Sequence, residues 1–172
     1  NNPASMSFLA PSEEETRKIT QGRIATMNVI VAMNDLLQQL IPDHVGRYTD
    51  EYYPTATGDN FQKRGYNTVV IEEGHCPHNS KQEKVRKFNF IALLKGLHHI
   101  AVSEDFSTYE TYFLIPNNQK NFYDVIEKNS ETGLEIAYQY KEVIVNGEFT
   151  STLRKVKEGD LSSSLAHEYR NT

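Results

Sequence analysis

Between Ser12 and Leu40 apolar residues recur at helical spacing, whereas around residue 70 they form a short unbroken run. In the first stretch Ile19, Met27, Ile30, Met33, Leu37 and Leu40 line one face by threes and fours, after a gap around Gly22. Ser12 precedes Glu15 by three positions, the spacing of a capping box in which each side chain satisfies the other's backbone N–H. With Pro42 as a stop, the pattern predicts a helix from about Ser12 to Leu40. Its Met-containing stripe reads as core. A second amphipathic pattern covers Ser80 to Ala101, where Val85, Phe88, Ile91, Ala92, Leu94 and Leu97, continued by Ile100, make a wide apolar face. Lys81, Gln82, Lys84, Arg86 and Lys87 ride its solvated side, and His98 and His99 suit the negative end of the helix dipole.

The run Val69-Val70-Ile71 is β-branched, too short for a helix and bounded by turn residues, so it predicts a buried strand. That strand ends on Glu72 and Glu73 and turns through Gly74, delivering two acids to an edge of the kind where α/β enzymes place active-site groups. Before it, Phe8-Leu9-Ala10-Pro11 is a brief apolar stretch. Asp43 to Arg64 is irregular and aromatic, with Tyr48, Tyr52, Tyr53 and Phe61, and with Pro54 and Gly58 as breakers. A loop of this length and composition packs over the core or forms a binding surface.

After Ser103 the pattern predicts a strand from Thr108 to Ile115, a short helix from Asn121 to Glu127 and a strand from Leu134 to Val145. Asn146-Gly147 is a strong hairpin signal, with the return strand at Glu148 to Val156. The polar tail from Glu158 is expected to end loosely. The expected class is α/β, a partial mixed-sheet domain with flanking helices over residues 1–106 and a small antiparallel β appendage over 107–172.

Composition narrows the function. With 172 residues, 38% hydrophobic and 24% charged, the chain has material for a sizeable core. A net charge of -5 with scattered basic residues argues against nucleic acid as partner, and no apolar run reaches the ~20 residues of a membrane span. The single cysteine, Cys76, rules out an intrachain disulfide framework and fits a reducing, cytoplasmic compartment. The chain opens Asn1-Asn2-Pro3-Ala4-Ser5 without a Met, as if inside a loop, and is expected to be a processed, engineered or truncated piece of a longer protein.

Glu72, Glu73, His75 and His78 fall within seven residues, but the histidines lie in a turn with Gly74 and Pro77, unlike the helical His-Glu-x-x-His of zinc enzymes. Cys76 between them lacks a papain-like context, and there is no Gly-x-Ser-x-Gly, phosphate loop or dinucleotide fingerprint. The residues alone support an acid at the end of a buried strand, beneath an aromatic loop, able to serve as a general base.

The order of features adds to this. Pro3-Ala4-Ser5-Met6-Ser7-Phe8-Leu9-Ala10-Pro11 leads to a long helix with Val29-Ile30-Val31-Ala32-Met33-Asn34. Val45-Gly46-Arg47-Tyr48, Thr57-Gly58-Asp59-Asn60-Phe61-Gln62 and Thr68-Val69-Val70-Ile71-Glu72-Glu73-Gly74-His75 follow. Together they resemble the C-terminal half of a zinc carboxypeptidase of the funnelin type, in its compact bacterial subgroup. The resemblance implies a peptide or amide substrate cleaved at its C-terminal bond, zinc as cofactor, and Glu72 as the base on zinc-bound water. It also implies a substrate-closing tyrosine, for which Tyr53 is the nearest match with Tyr52 and Tyr48 as substitutes, and a specificity region around Asp59 and Asn60. The family's His-x-x-Glu zinc pair has no counterpart in this chain, so the metal ligands and the carboxylate-gripping arginine are expected outside it. The chain alone is then expected to be inactive, and to self-associate unless a missing N-terminal half covers it. Two other readings stand beside this one: a non-catalytic α/β binding domain, and a self-contained zinc hydrolase using Glu72, His75 and His78.

Overall fold

Ser5-Met6-Ser7-Phe8 alternates small polar with large apolar residues, the period of a strand, and in the computed structural model it forms the centre of the first sheet. The structure describes residues 3–76 and 83–172. Strand β1 (Met6–Leu9) is flanked by β2 (Val45–Arg47), which runs parallel to it, and β3 (Val70–Glu73), which runs antiparallel, giving the order β2-β1-β3. Met6 and Phe8 are fully buried, in one core cluster with residues of both long helices, α1 (Gln21–Leu37) and α3 (Glu83–Val102). A short helix, α2 (Thr57–Lys63), precedes β3 within the stretch read from sequence as irregular.

The first helix starts later than its pattern predicts. Thr20 caps it, with its hydroxyl accepting from the Arg23 N–H at 3.3 Å. Ser12 is fully buried, and its hydroxyl instead donates to the Asp50 carbonyl at 2.6 Å. Residues 13–19 stay irregular because the buried Arg23 guanidinium takes up their carbonyls, donating to Arg17 O at 2.7 Å and Lys18 O at 3.1 Å. Met27, Ile30, Met33 and Leu37 are buried as the stripe requires, while Ile19 and Leu40 lie outside the helix and are exposed.

Helices α1 and α3 approach closely at Gly96, where a Cβ would sit 2.0 Å from Met33 Cε. His99 joins them: its Nε2 lies 2.6 Å from Asn28 Oδ1, while Asn28 Nδ2 donates to the Thr108 carbonyl at 2.6 Å. Since the amide nitrogen is turned to a carbonyl, Oδ1 must accept and His99 Nε2 carries the proton. Burial, helped by Lys95 and His98, lowers the His99 pKa and favours that neutral form. Leu94, Leu97 and Ile100, expected on the core face, are instead exposed, because Val85, Ala92 and Gly96 face α1 and the sheet. The beginning assigned to this helix at Ser80 lies outside the described residues. No described helix is long and apolar enough to cross a membrane.

The predicted strand Thr108 to Ile115 is a 3-10 turn, Glu110–Leu114. Its geometry follows from Tyr112, which is buried against the core and accepts the Ala10 N–H at its hydroxyl (3.2 Å). Burial raises the Tyr112 pKa. The guanidinium of Arg47 lies over the Tyr112 and Phe113 rings, 5.4 and 5.5 Å from their centroids.

The chain divides into two compact units, residues 3–76 with 83–119, and residues 120–172. The second unit is a four-stranded sheet in the order β6-β5-β4-β7. It is built from β4 (Phe122–Lys128), β5 (Glu135–Val145), β6 (Glu148–Glu158) and β7 (Leu165–Asn171). The β5–β6 hairpin turns at Asn146 and Gly147, both with positive φ (54° and 84°), as the dipeptide predicts. Two expectations are corrected. Residues 122–128 are a strand and not a helix, with Tyr123 and Val125 buried in alternation. The tail is also ordered: β7 lies parallel to β4, from Phe122 opposite Leu165 to Lys128 opposite Asn171, so this sheet is mixed and not antiparallel throughout. The α/β class stands, with mixed sheets in both units.

Candidate functional site

Strand β3 was expected to be buried; it is an edge strand, half-buried at Val70 and Ile71 and exposed at Glu72 and Glu73. Alternation decides where each side chain goes. Val69 and Ile71 pack on the core beneath α1 and α3, so Val70 and Glu72 face the other side of the sheet. Glu73 shares the helix-facing parity, and its Oε1 accepts from Asn89 Nδ2 of α3 at 2.6 Å. The two adjacent acids therefore have separate surroundings. Glu73 is held by a helix, whereas the exposed Glu72 carboxylate has no partner among the described residues.

Beyond β3 the chain is fastened to the N-terminal segment. Gly74 N donates to Ser5 O at 2.9 Å, and Ser5 Oγ donates to His75 O at 3.0 Å. A Cβ on Gly74 would stand 2.1 Å from the Ala4 carbonyl oxygen, so this close approach requires glycine. Cys76 packs partly against the core; His78 lies outside the described residues.

On the face carrying Val70, the first turn of α2 comes down onto the strand, and a Cβ at Gly58 would be 2.9 Å from Val70 Cγ2. That turn brings Tyr53, Asp59 and Asn60 together. Asp59 is buried, and its Oδ1 accepts the Tyr53 N–H at 3.2 Å. Asn60 Nδ2 donates to the carbonyls of Pro54 (2.7 Å) and Ala56 (2.9 Å). Both side chains thus hold the turn that precedes α2, whose cap residue Ala56 has no capping side chain of its own. Tyr53 is the member of this trio that offers surface: half its area is exposed, and its hydroxyl donates to Glu51 Oε2 at 3.1 Å. That hydrogen bond, with the charge of Glu51, raises the Tyr53 pKa. Among the substitutes, Tyr52 stacks beneath Lys63 and its hydroxyl meets that ammonium at 3.2 Å.

Reading by motif passed over the floor beside Glu72. Ser7, its register partner on β1, is buried, and a Cβ at neighbouring Gly46 would lie 3.2 Å from Ser7 Oγ. Pro116 to Asn118 crosses here, with Arg47 N donating to Pro116 O and Asn118 N to Arg47 O, both at 2.8 Å. The signal for this floor was present in the Ser-Met-Ser-Phe alternation, which marks Ser5 and Ser7 as the side opposite the core.

Chemically, the arrangement offers an accessible carboxylate at a strand end, small residues beside it and a tyrosine-bearing turn leading into the helix that meets Val70 of the same strand. Among the described residues no group of three or more His, Cys, Asp or Glu side chains is placed to hold a metal ion. Comparison with family models, with curated proteins and with solved structures finds no match to this chain.

Proposed function

We propose that this chain is the C-terminal portion of a zinc-dependent metallocarboxypeptidase, with Glu72 as its general base, working in a reducing, cytoplasmic compartment. The observation that carries the reading is the separation of the two acids: Glu73 is engaged by Asn89, and Glu72 stands exposed on the face that α2 approaches. The sequence motifs around Glu72, Gly58 and Arg47 support it by their order. The chain has no His-x-x-Glu pair, and in this reading the metal ligands come from outside it. The role for Glu72 is to take a proton from the water that attacks the last peptide carbonyl carbon. It then returns that proton to the amine as the C–N bond breaks. Tyr53 is suited to cover a bound peptide, since its ring is exposed while Asp59 and Asn60 keep its turn in place.

The test is Glu72→Gln beside Glu73→Gln in the intact protein, with hydrolysis of C-terminal peptide bonds and bound zinc measured on the same samples. Turnover should fall by roughly a hundredfold or more for Glu72→Gln with zinc retained. Glu73→Gln should keep most activity. Equal activity of Glu72→Gln and wild type would sink the assignment.

A further inference from the structure

The two long helices are treated differently by the fold. Helix α3 buries Val85, Ala92 and Gly96, yet the side turned away from them is also apolar. Phe90, Leu93, Leu94, Leu97, Ile100 and Val102 are 45–63% exposed, and Phe90, Leu93, Leu97 and Ile100 repeat at the three-and-four spacing of a helix-pairing seam. A helix apolar on both sides belongs inside a structure, not at its surface. We propose that this face of α3 is a homodimer interface, on which α3 of a second copy packs antiparallel about a two-fold axis passing between Leu93 and Leu97.

Area and charge both favour a second copy. Phe90, Leu93, Leu94, Leu97 and Ile100, at least about half exposed, offer roughly 100 Å² each, about 500 Å² per copy and ~1,000 Å² in total, the lower end of what a specific interface buries. The stripe is also self-complementary, because an antiparallel two-fold sets Phe90 against the partner's end of the stripe near Ile100 and brings the two Leu93–Leu97 segments together. The charges flanking the stripe obey the same symmetry. Arg86 and Lys87 stand exposed one turn before Phe90, Arg86 pairing with Glu83 of its own helix, and Glu104 and Asp105 stand exposed just beyond Val102. Antiparallel packing lays each basic turn against the other copy's acids, whereas parallel packing sets like charges together. Opposed helix dipoles favour the same orientation.

Light scattering on the chain after size exclusion tests this. Wild type should run at twice the 19.7 kDa chain mass. Leu97→Glu buries a charge at the centre of the seam and should weaken association by about a hundredfold or more. Lys87→Glu should weaken it without disturbing the core, and adding Glu104→Lys to that variant should restore it. Should Leu97→Glu lose helix by circular dichroism, the Lys87→Glu and Glu104→Lys pair decides alone. A monomeric wild type would leave the face to another occupant, the remainder of a longer protein or a different one, and overturn the proposal. A dimer indifferent to the charge changes would overturn it too.

Discussion

Gly74 shows how a single residue sets the position of the candidate base. It follows Glu72-Glu73 directly, its N–H is bound by Ser5, and the place where a Cβ would go is taken by the Ala4 carbonyl oxygen at 2.1 Å. That oxygen belongs to the backbone, so it cannot rotate aside as a side-chain tip would. Gly74→Ala must separate the end of β3 from residues 4–5, at a cost of about 3 kcal/mol, or roughly 6–10 °C in Tm. Thermal unfolding checks this; a variant within a degree of wild type would show that the segment re-routes freely. The same scale explains what could be read of the site beforehand. That Glu72 and Glu73 end a strand follows from the β-branched run before them. Which of the two is engaged depends on Asn89, sixteen residues on and on another element, and no local pattern reports that. Asp59 is similar: its type suggests a displayed charge, but its partner is the Tyr53 backbone N–H.

At the scale of elements, the buried Arg23 is the joint between α1 and the loops around it. Its guanidinium donates to three carbonyls, Arg17, Lys18 and Ala10, and its Nη2 meets Asp50 Oδ2 at 2.8 Å. Burial of Asp50 alone would raise its pKa, but the hydrogen bond and charge of Arg23, with Arg17 beyond, outweigh that and hold it below the ordinary 3.8. A carboxylate whose folded pKa is depressed contributes stability that is fully present above its unfolded value and is lost as pH falls through the folded one. Wild type should therefore lose stability as the pH drops below about 4, and Asp50→Asn should flatten that limb while costing about 2 kcal/mol near neutrality. Urea unfolding of both proteins across this range checks it; parallel acid limbs would mean Asp50 is not the group responsible. Arg23 also accounts for the misplaced start of the first helix. The capping-box spacing at Ser12 is genuine, but a long-range hydrogen bond to Asp50 outcompetes it. Helix interiors and the Asn146-Gly147 hairpin were legible because their signals are local. Strand β1 was missed because its alternation covers only Ser5 to Phe8, too short a run to stand out, and β7 because an edge strand needs few apolar residues.

At the scale of the whole molecule, the two units differ in what holds them. The first gathers Met6, Phe8, Met27, Ile30, Leu37, Val45 and Val85 among others into one cluster, with Tyr112 and Arg23 buried in the same unit. In residues 120–172 the core cluster is Tyr123, Ile126, Ala137, Leu161 and Ala166, two of them alanines. The outer β5–β6 hairpin meanwhile leaves Ile144, Val145 and Phe149 exposed. Fewer than ~60 residues with so little buried apolar area give a margin close to zero against the entropy of ordering the chain. Native-state hydrogen exchange should therefore find two levels. Amides of β4 to β7 should exchange through an opening costing only a few kcal/mol, while those of β1 and central α1 exchange at the global limit. The protected hairpin ladder should give way together, since β5 and β6 pair along their length and β6 adds no residue of its own to the small core. Equal protection in both units would mean that the second borrows stability it does not generate. In that event truncation after Gln119 should lower the Tm of the first unit, whereas two separate levels predict that it leaves that Tm unchanged.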